Sequence, residues 1–234
     1  MAKARRVDAK LQRLRLLRDE PATPGVVAEL REFLADKSNL VVAEAAELAG
    51  KHGITTLAPD LAAAFARFLV DAAETDMLCR AKIAITDALN RMEADEEETY
   101  RAGLRHVQRE AAWGGPEDTA GPLRGAAAFA LVRMNPRDLL ILLADLLADP
   151  EKEARSAAAK ALGVLGTQAA IPLLRFKAKA GDKEPEVVVD CLTALMQAAP
   201  GESLPFVAGF LTAKVEIAEG AALALGESRR PDAL

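Results

Sequence analysis

The sequence predicts an all-α fold in which about six pairs of helices stack side by side as an α-solenoid. Hydrophobic residues make up 51% of the chain and aromatic residues only 4%, so the apolar content is mostly Ala, Leu and Val. That composition favours closely packed helices over a β-sandwich. One helical motif also recurs along the chain, and a second kind of apolar helix lies between its copies.

The recurring motif is a run of small and apolar residues that ends in Ala-Leu. Clear copies lie at 123–135, 154–166, 187–199 and 217–229, and the leucines at positions 131, 162, 195 and 225 are 31, 33 and 30 residues apart. An earlier copy at 41–53 has Leu and Ala exchanged, and a copy at 79–89 fits only if one extra residue is allowed. In each copy the apolar spacing indicates one buried helix face.

These copies divide the chain, which is predicted to form a single repeat domain over residues 1–234. The predicted parts are an N-terminal helix at 1–20, longer irregular repeats at 24–110, a loop at 111–122, and regular repeats of about 31 residues at 123–234. Between the copies, first helices are predicted at 24–36, 58–71, 136–149, 168–182 and 201–213. Gly166 is expected to end its helix.

Residues 149–166 carry the most specific pattern. They are similar to "D-x-x-x-x-V-R-x-x-A-A-x-A-L-x-x-L-G", with Ala154 in place of Val. The chain therefore resembles the HEAT-repeat family, especially its short HEAT-like form in bilin-lyase-type proteins, over roughly residues 24–234. The resemblance implies a right-handed α-solenoid (an α-α superhelix) of about six HEAT-like helical pairs, with Asp149, Arg155 and Arg124 as structural residues of the repeat.

HEAT-like proteins usually bind partners on a concave face lined by the second helices. The register of the motif predicts seven binding residues on that face, which are Glu44, Glu47, Phe129, Ser156, Lys160, Asp190 and Thr193. Phe129 either anchors a partner or tucks against the next repeat or the 112–122 segment. Trp113 is either a binding anchor on the loop or a plug at the junction of the two kinds of repeat, and we favour the plug.

The charge distribution argues against a nucleic-acid binder. The net charge is -5, and only the N-terminus is basic. There Lys3, Arg5, Arg6, Lys10, Arg13, Arg15 and Arg18 stand against Asp8. This segment either meets an anionic partner or is the solvated face of a helix whose buried side holds Leu14 and Leu17, and the second interpretation is favoured.

The sequence contains few residues that bear on cellular location or on catalysis. Cys79 and Cys191 lie far apart and are interpreted as buried thiols in a reducing cytosol, and no signal peptide, membrane helix or membrane partner is expected. His52 and His106 have no catalytic partner at a telling spacing, and the acidic run at 93–99 is a helix start or a solvated loop. No catalytic residue, metal site or cofactor is predicted.

The resulting hypothesis is a cytoplasmic, non-enzymatic scaffold or adaptor that binds a protein or peptide along the concave face. The alternatives are a bilin-lyase-like accessory factor and a helical-repeat nucleic-acid repair enzyme. The motif begins again at Ile217, but the sequence ends at Leu234, where the next first helix is expected. This suggests a piece of a longer repeat protein, or an exposed C-terminal repeat that is covered by another chain or self-associates.

Overall fold

The computed structural model describes residues 2–228, and side chains from residue 5 onward. The chain divides into two compact units, Met1–Ala130 and Leu131–Leu234, and the single repeat domain over residues 1–234 stays a prediction. The C-terminal repeat that the sequence led us to expect as incomplete falls partly on residues 229–234, which lie outside the described residues. Among the described residues, no helix is both long and apolar enough to cross a bilayer.

The first unit consists of helices, with one small sheet. Its helices are α1 (Ala2–Leu17), α2 (Pro24–Leu34), α3 (Asn39–Lys51), α4 (Ala58–Arg67), α5 (Ala72–Thr75), α6 (Arg80–Arg91), α7 (Glu97–Arg105) and most of α8 (Gly121–Met134). Short 3-10 turns lie at Thr55–Leu57 and Met77–Cys79. The strands β1 (Arg109–Ala112) and β2 (Gly115–Asp118) pair antiparallel, with Arg109 opposite Asp118.

The second unit repeats one arrangement of paired helices. It contains the end of α8, then α9 (Leu139–Leu146), α10 (Lys152–Leu165), α11 (Ala170–Ala180), α12 (Pro185–Ala198), α13 (Pro200–Ala208) and α14 (Val215–Glu227), with a 3-10 turn at Gly209–Thr212. In each pair the first helix contacts the second: α9 contacts α10, α11 contacts α12, and α13 contacts α14. The second helices also contact one another, α10 with α12 and α12 with α14. The all-α, HEAT-like fold class predicted from the sequence is confirmed.

Small residues set the distance between neighbouring second helices. Gly50 of α3 lies against Ala88 of α6, and a Cβ added at Gly50 would be 2.8 Å from the Ala88 Cα. In α10, a Cβ added at Gly163 would be 2.8 Å from the Ala194 Cβ of α12. Gly166 caps α10 in the left-handed conformation, as the sequence predicted.

Aspartates in the turns between paired helices bind the backbone that leads into the second helix. The Asp36, Asp149 and Asp182 carboxylates each accept a hydrogen bond from the backbone N–H two residues later, at 2.7, 2.8 and 2.9 Å. That N–H belongs in each case to the residue just before the second helix. A partly buried turn N–H is thereby satisfied at every one of these steps.

The basic N-terminal segment forms the solvated helix that we favoured. Leu14 and Leu17 are buried in α1, whereas its arginines are mostly exposed. Arg13 donates to Glu29 at 2.8 Å, and Arg18 donates to Glu44 at 2.7 Å. Much of this positive charge is therefore matched by carboxylates of the same unit.

The segment predicted as a loop at 111–122 contains most of a β-hairpin. Gly114 and Gly115 adopt φ of 123° and 129° at its tip, which allows the chain to reverse within two residues. The strands show no alternation of buried and exposed residues, so the sequence carries no period-two signal. The acidic run at 93–99 leads into α7, with Glu97 and Glu98 in its first turn.

Candidate functional site

The predicted concave-face residues of α3 remain on its outer side. Glu44 is half-buried and paired with Arg18, whereas Glu47 is exposed. Glu47 lines a groove of about 520 Å³ together with residues of α6. Of the two, Glu47 is thus the one placed where a ligand can reach it.

Three of the predicted binding residues come together in the second unit. The Lys160 Nζ donates to the Ser156 Oγ at 3.0 Å and lies 3.3 Å from the Asp190 Oδ1, while the Ser156 hydroxyl donates to the Asp190 carboxylate. Ser156 is buried in the second turn of α10. This cluster links the side chains of α10 to α12.

The remaining predicted residues are spread over separate surfaces. Phe129 of α8 and Thr193 of α12 are half-buried. Trp113 lies at the hairpin tip and its side chain is fully exposed, at 104% of the reference area. It plugs no junction, so the favoured interpretation of Trp113 is wrong.

The repeat Asp and Arg residues form buried ion pairs. Arg155 donates to both Asp182 carboxylate oxygens at 2.8 Å and to the Asp149 and Pro150 carbonyls. Burial favours the neutral acid, but hydrogen bonds from Arg155 and Lys177 outweigh it and lower the Asp182 pKa. In the first unit, Arg124 donates to Asp118 at 2.8 Å and to the His106 carbonyl.

A third buried ion pair was missed by the sequence reasoning. Asp76 and Lys82 are both 0% exposed, and the Lys82 Nζ lies 2.9 Å from the Asp76 Oδ2. Asp76 also accepts the N–H groups of Ala81 and Lys82 at 2.8 and 3.0 Å, and Lys82 donates to the Phe68 carbonyl at 3.2 Å. Each charge has several partners, which is the condition under which such a pair is tolerated in a core.

The Asp76–Lys82 pair fixes the turn between α5 and α6 to the start of α6. Gln108 and Glu110 add further hydrogen bonds to the same turn. The Gln108 side chain donates to the Asp76 carbonyl at 2.8 Å and to Glu110. Glu110 in turn accepts the Leu78 N–H at 2.7 Å and the Thr119 hydroxyl at 2.8 Å. Although burial opposes it, these bonds lower the Glu110 pKa, so the carboxylate that fixes Leu78 stays charged.

The backbone of this turn is strained. Leu78 and Cys79 both adopt the left-handed conformation, with φ of 60° and 53°. For residues with a Cβ, that conformation costs about 1–2 kcal/mol each. Met77 and Leu78 are nevertheless 62% and 51% exposed. Backbone strain held by a buried polar framework is a feature that concentrates at functional sites.

Two grooves meet at Leu78. The first is the 520 Å³ groove, which runs between α3 and α6 and is lined by Glu47, Leu78, Arg80, Ile83, Ala84, Asp87, Ala88 and Arg91. The second, of about 320 Å³, is lined by Asn39, Leu40, Glu74, Thr75, Met77, Leu78 and Arg80. Leu78 and Arg80 belong to both. We call the exposed residues Met77, Leu78 and Arg80, with Glu47, Asp87 and Arg91, the Leu78 surface.

The groups at and near this surface are better suited to binding than to covalent chemistry. Burial raises the pKa of the Cys79 thiol to about 12, so it is not a ready nucleophile. Although the Asp87 side chain reaches the surface, desolvation by the surrounding protein raises its pKa, and the Arg91 charge opposes that shift. His106 is half-buried, which lowers its pKa. The described residues contain no group of three or more His, Cys, Asp or Glu arranged to hold a metal.

One sequence signal pointed to this surface. The motif copy at 79–89 required one extra residue. The strained turn at Met77–Cys79 lies at the start of that copy. The strained turn therefore coincides with a copy that fits the motif poorly.

The family comparison agrees with the repeat pattern. Residues 117–180 match the family model of HEAT repeats. This segment runs from β2 to the end of α11 and includes the 149–166 pattern, so the resemblance to HEAT repeats is confirmed. No curated protein sequence matches the chain significantly.

Among solved structures, the chain is similar to human deoxyhypusine hydroxylase in complex with glycerol. The two are 18% identical, with a TM-score of 0.41, over 95% of this chain and 90% of that chain. The prediction of a non-enzymatic scaffold is wrong in excluding enzymes, because this similar protein is one. The exclusion of enzymes had rested on the absence of catalytic motifs from the sequence. The likeness to this structure is too distant to assign a reaction to the chain.

Proposed function

We propose that the chain binds a polypeptide partner through the Leu78 surface. The observation that carries this proposal is an exposed leucine in a strained turn, whose N–H is bound by the Glu110 carboxylate and which lies next to the buried Asp76–Lys82 pair. HEAT repeats commonly mediate protein interactions, which supports a polypeptide as the ligand. Such binding is as compatible with an enzyme that acts on the bound polypeptide as with an adaptor.

Preorganisation supports the choice of this surface over other exposed side chains. Single exposed leucines are common and need no explanation. Leu78 differs because the Glu110 carboxylate fixes its N–H and the Asp76–Lys82 pair fixes the turn before α6. A backbone already held in place loses little conformational entropy on binding, so more of the contact energy of the side chain it carries appears as affinity.

The charges around Leu78 favour a polypeptide over a nucleic acid. Arg80 and Arg91 line the larger groove together with Glu47 and Asp87. Carboxylates beside arginines repel a phosphate backbone, whereas a polypeptide can present both N–H and C=O groups and side chains of either charge. The net charge of -5 agrees with this choice.

The test compares wild-type chain with Leu78→Gly and Leu78→Asn as baits in quantitative affinity capture. Gly and Asn both tolerate the left-handed conformation, so neither variant is expected to unfold the turn. Leu16→Ala is the matched control, because Leu16 is a 65% exposed leucine in α1. We expect one or more proteins to be captured by wild type and Leu16→Ala and to fall by about tenfold or more with both Leu78 variants. Equal capture by all four baits would refute the proposal.

We also infer a reducing compartment such as the cytosol for this chain. Cys79 and Cys191 are free and buried, the first in the turn before α6 and the second in α12. Two unpaired thiols fit the redox conditions of the cytosol better than those of secreted proteins. Fractionation of cells that express the tagged chain tests the location directly.

A further inference from the structure

The second unit contains an exposed groove that the Leu78 surface does not include. It lies between the first halves of α12 and α14 and has a volume of about 600 Å³. Its lining residues are Glu184, Pro185, Glu186, Val189, Glu216, Glu219, Gly220 and Leu223. We call it the α12–α14 groove.

The floor of this groove is apolar and its shape depends on a glycine. Leu223 is 61% exposed, and Val189 is half-buried beside it. A Cβ added at Gly220 would be 2.3 Å from the Val189 Cγ2, so no side chain fits between the two helices there. Because Gly220 keeps α14 close to α12, Val189 and Leu223 line one continuous depression.

The rim of the groove is acidic. Four of its eight lining residues are glutamates, two from each side. The structure also shows a cation on this rim, since the Lys152 Nζ lies 3.1 Å from the Glu186 Oε2. The hydrogen bond and charge of Glu186 raise the Lys152 pKa, with Glu153 and Glu184 adding to the effect. The rim therefore already stabilises one ammonium group.

We propose that the α12–α14 groove binds a basic segment of a partner polypeptide. An apolar side chain of that segment rests on Val189 and Leu223, and flanking Lys or Arg side chains contact the four glutamates. The apolar floor supplies the anchor and the acidic rim selects the charge, which is the usual division between the core and the rim of an interface. This groove belongs to a different unit from the Leu78 surface, so either proposal can fail without the other.

The test uses the full chain and a fluorescent synthetic peptide that carries two leucines between runs of Lys and Arg. Fluorescence anisotropy measures its affinity beside two control peptides, one with Ser for Leu and one with Glu for each basic residue. We expect saturable binding of the basic leucine peptide, at least about tenfold weaker binding of each control, and weakening as salt rises. Lack of saturable binding, or equal binding of all three peptides, would overturn the proposal.

Variants of the chain then place the peptide in the groove. Glu216→Gln combined with Glu219→Gln is expected to weaken binding by about 4- to 25-fold, at about 2- to 5-fold for each exposed charge. Leu223→Ser is expected to weaken binding by about tenfold. Glu227→Gln, which removes an exposed charge of α14 outside the groove, is the matched control and is expected to leave the affinity unchanged. Unchanged binding in the groove variants contradicts the proposed site.

A second copy of the chain is the competing occupant. Sedimentation velocity of the wild-type chain without peptide distinguishes the two cases. The proposal expects no self-association that depends on this groove. A dimer that is lost in Leu223→Ser and that peptide competes away would assign the groove to another copy and overturn the proposed partner.

Discussion

Replacing Gly163 by Ala tests the close contact of the stacked helices quantitatively. Taken alone, the change favours helix α10 by about 1 kcal/mol, because Gly is a poor helix former. The added Cβ, however, would be 2.8 Å from the Ala194 Cβ, 3.0 Å from the Ala194 Cα and 3.1 Å from the Gln197 Oε1. The first two contacts cannot be relieved by a side-chain rotation, so the helices must separate.

Overpacking of this kind costs about 1–3 kcal/mol. Set against the helix gain of about 1 kcal/mol, a net loss of up to about 2 kcal/mol is expected for α10 and α12. Ala194→Gly should relieve part of the clash, so the double variant should be more stable than the sum of the two single changes predicts. Gly226→Ala is the control, because nothing lies within 4 Å of a Cβ built there.

Native-state hydrogen exchange of peptides from α10 and α12 is the appropriate assay. It reports the local free energy of opening, whereas a repeat chain with two compact units need not unfold in one step. If Gly163→Ala stabilises α10 by about as much as Gly226→Ala stabilises α14, propensity alone governs both sites. The close approach of α10 and α12 would then be refuted.

Four further predictions concern the buried pairs, the hairpin and the thiols. Arg155→Ala should destabilise the second unit by about 3–5 kcal/mol, far more than Arg31→Ala at the exposed pair with Asp60, measured by urea unfolding. Because the folded-state pKa of Asp182 is lowered, its contribution is present at neutral pH and is lost as the pH falls below about 4, and Asp182→Asn should reduce that acid sensitivity. Trp113 should emit like a fully solvated indole and be quenched freely by acrylamide, and a blue-shifted, protected emission would contradict its exposure. Cys79 and Cys191, with pKa values raised to about 12, should react with a thiol reagent only after unfolding.

The repeat fold was predictable from the sequence because its signals are local. The Ala-Leu motif placed the second helices α3, α6, α8, α10, α12 and α14, since their stripes of small residues follow from helix period alone. The β-hairpin was missed because its strands are exposed on both faces and therefore carry no apolar period.

The Leu78 surface was only partly predictable. Glu47 was found because it occupies an outward position in the motif register. Leu78 was not, because its conformation depends on the Glu110 carboxylate, 32 residues away, and on a buried Asp76–Lys82 pair. No periodicity in the chain encodes a contact of that separation.

The most direct test of the central claim is photocrosslinking from the Leu78 surface. A photoreactive phenylalanine analogue replaces Met77, which is 62% exposed beside Leu78, and in a second chain it replaces Leu16 as the control position. We predict that a polypeptide partner is crosslinked at position 77 and not at position 16. The same adduct should disappear when Leu78→Gly is added. An adduct at 77 that persists unchanged with Leu78→Gly, or partners crosslinked only from position 16, would contradict the assignment of this surface.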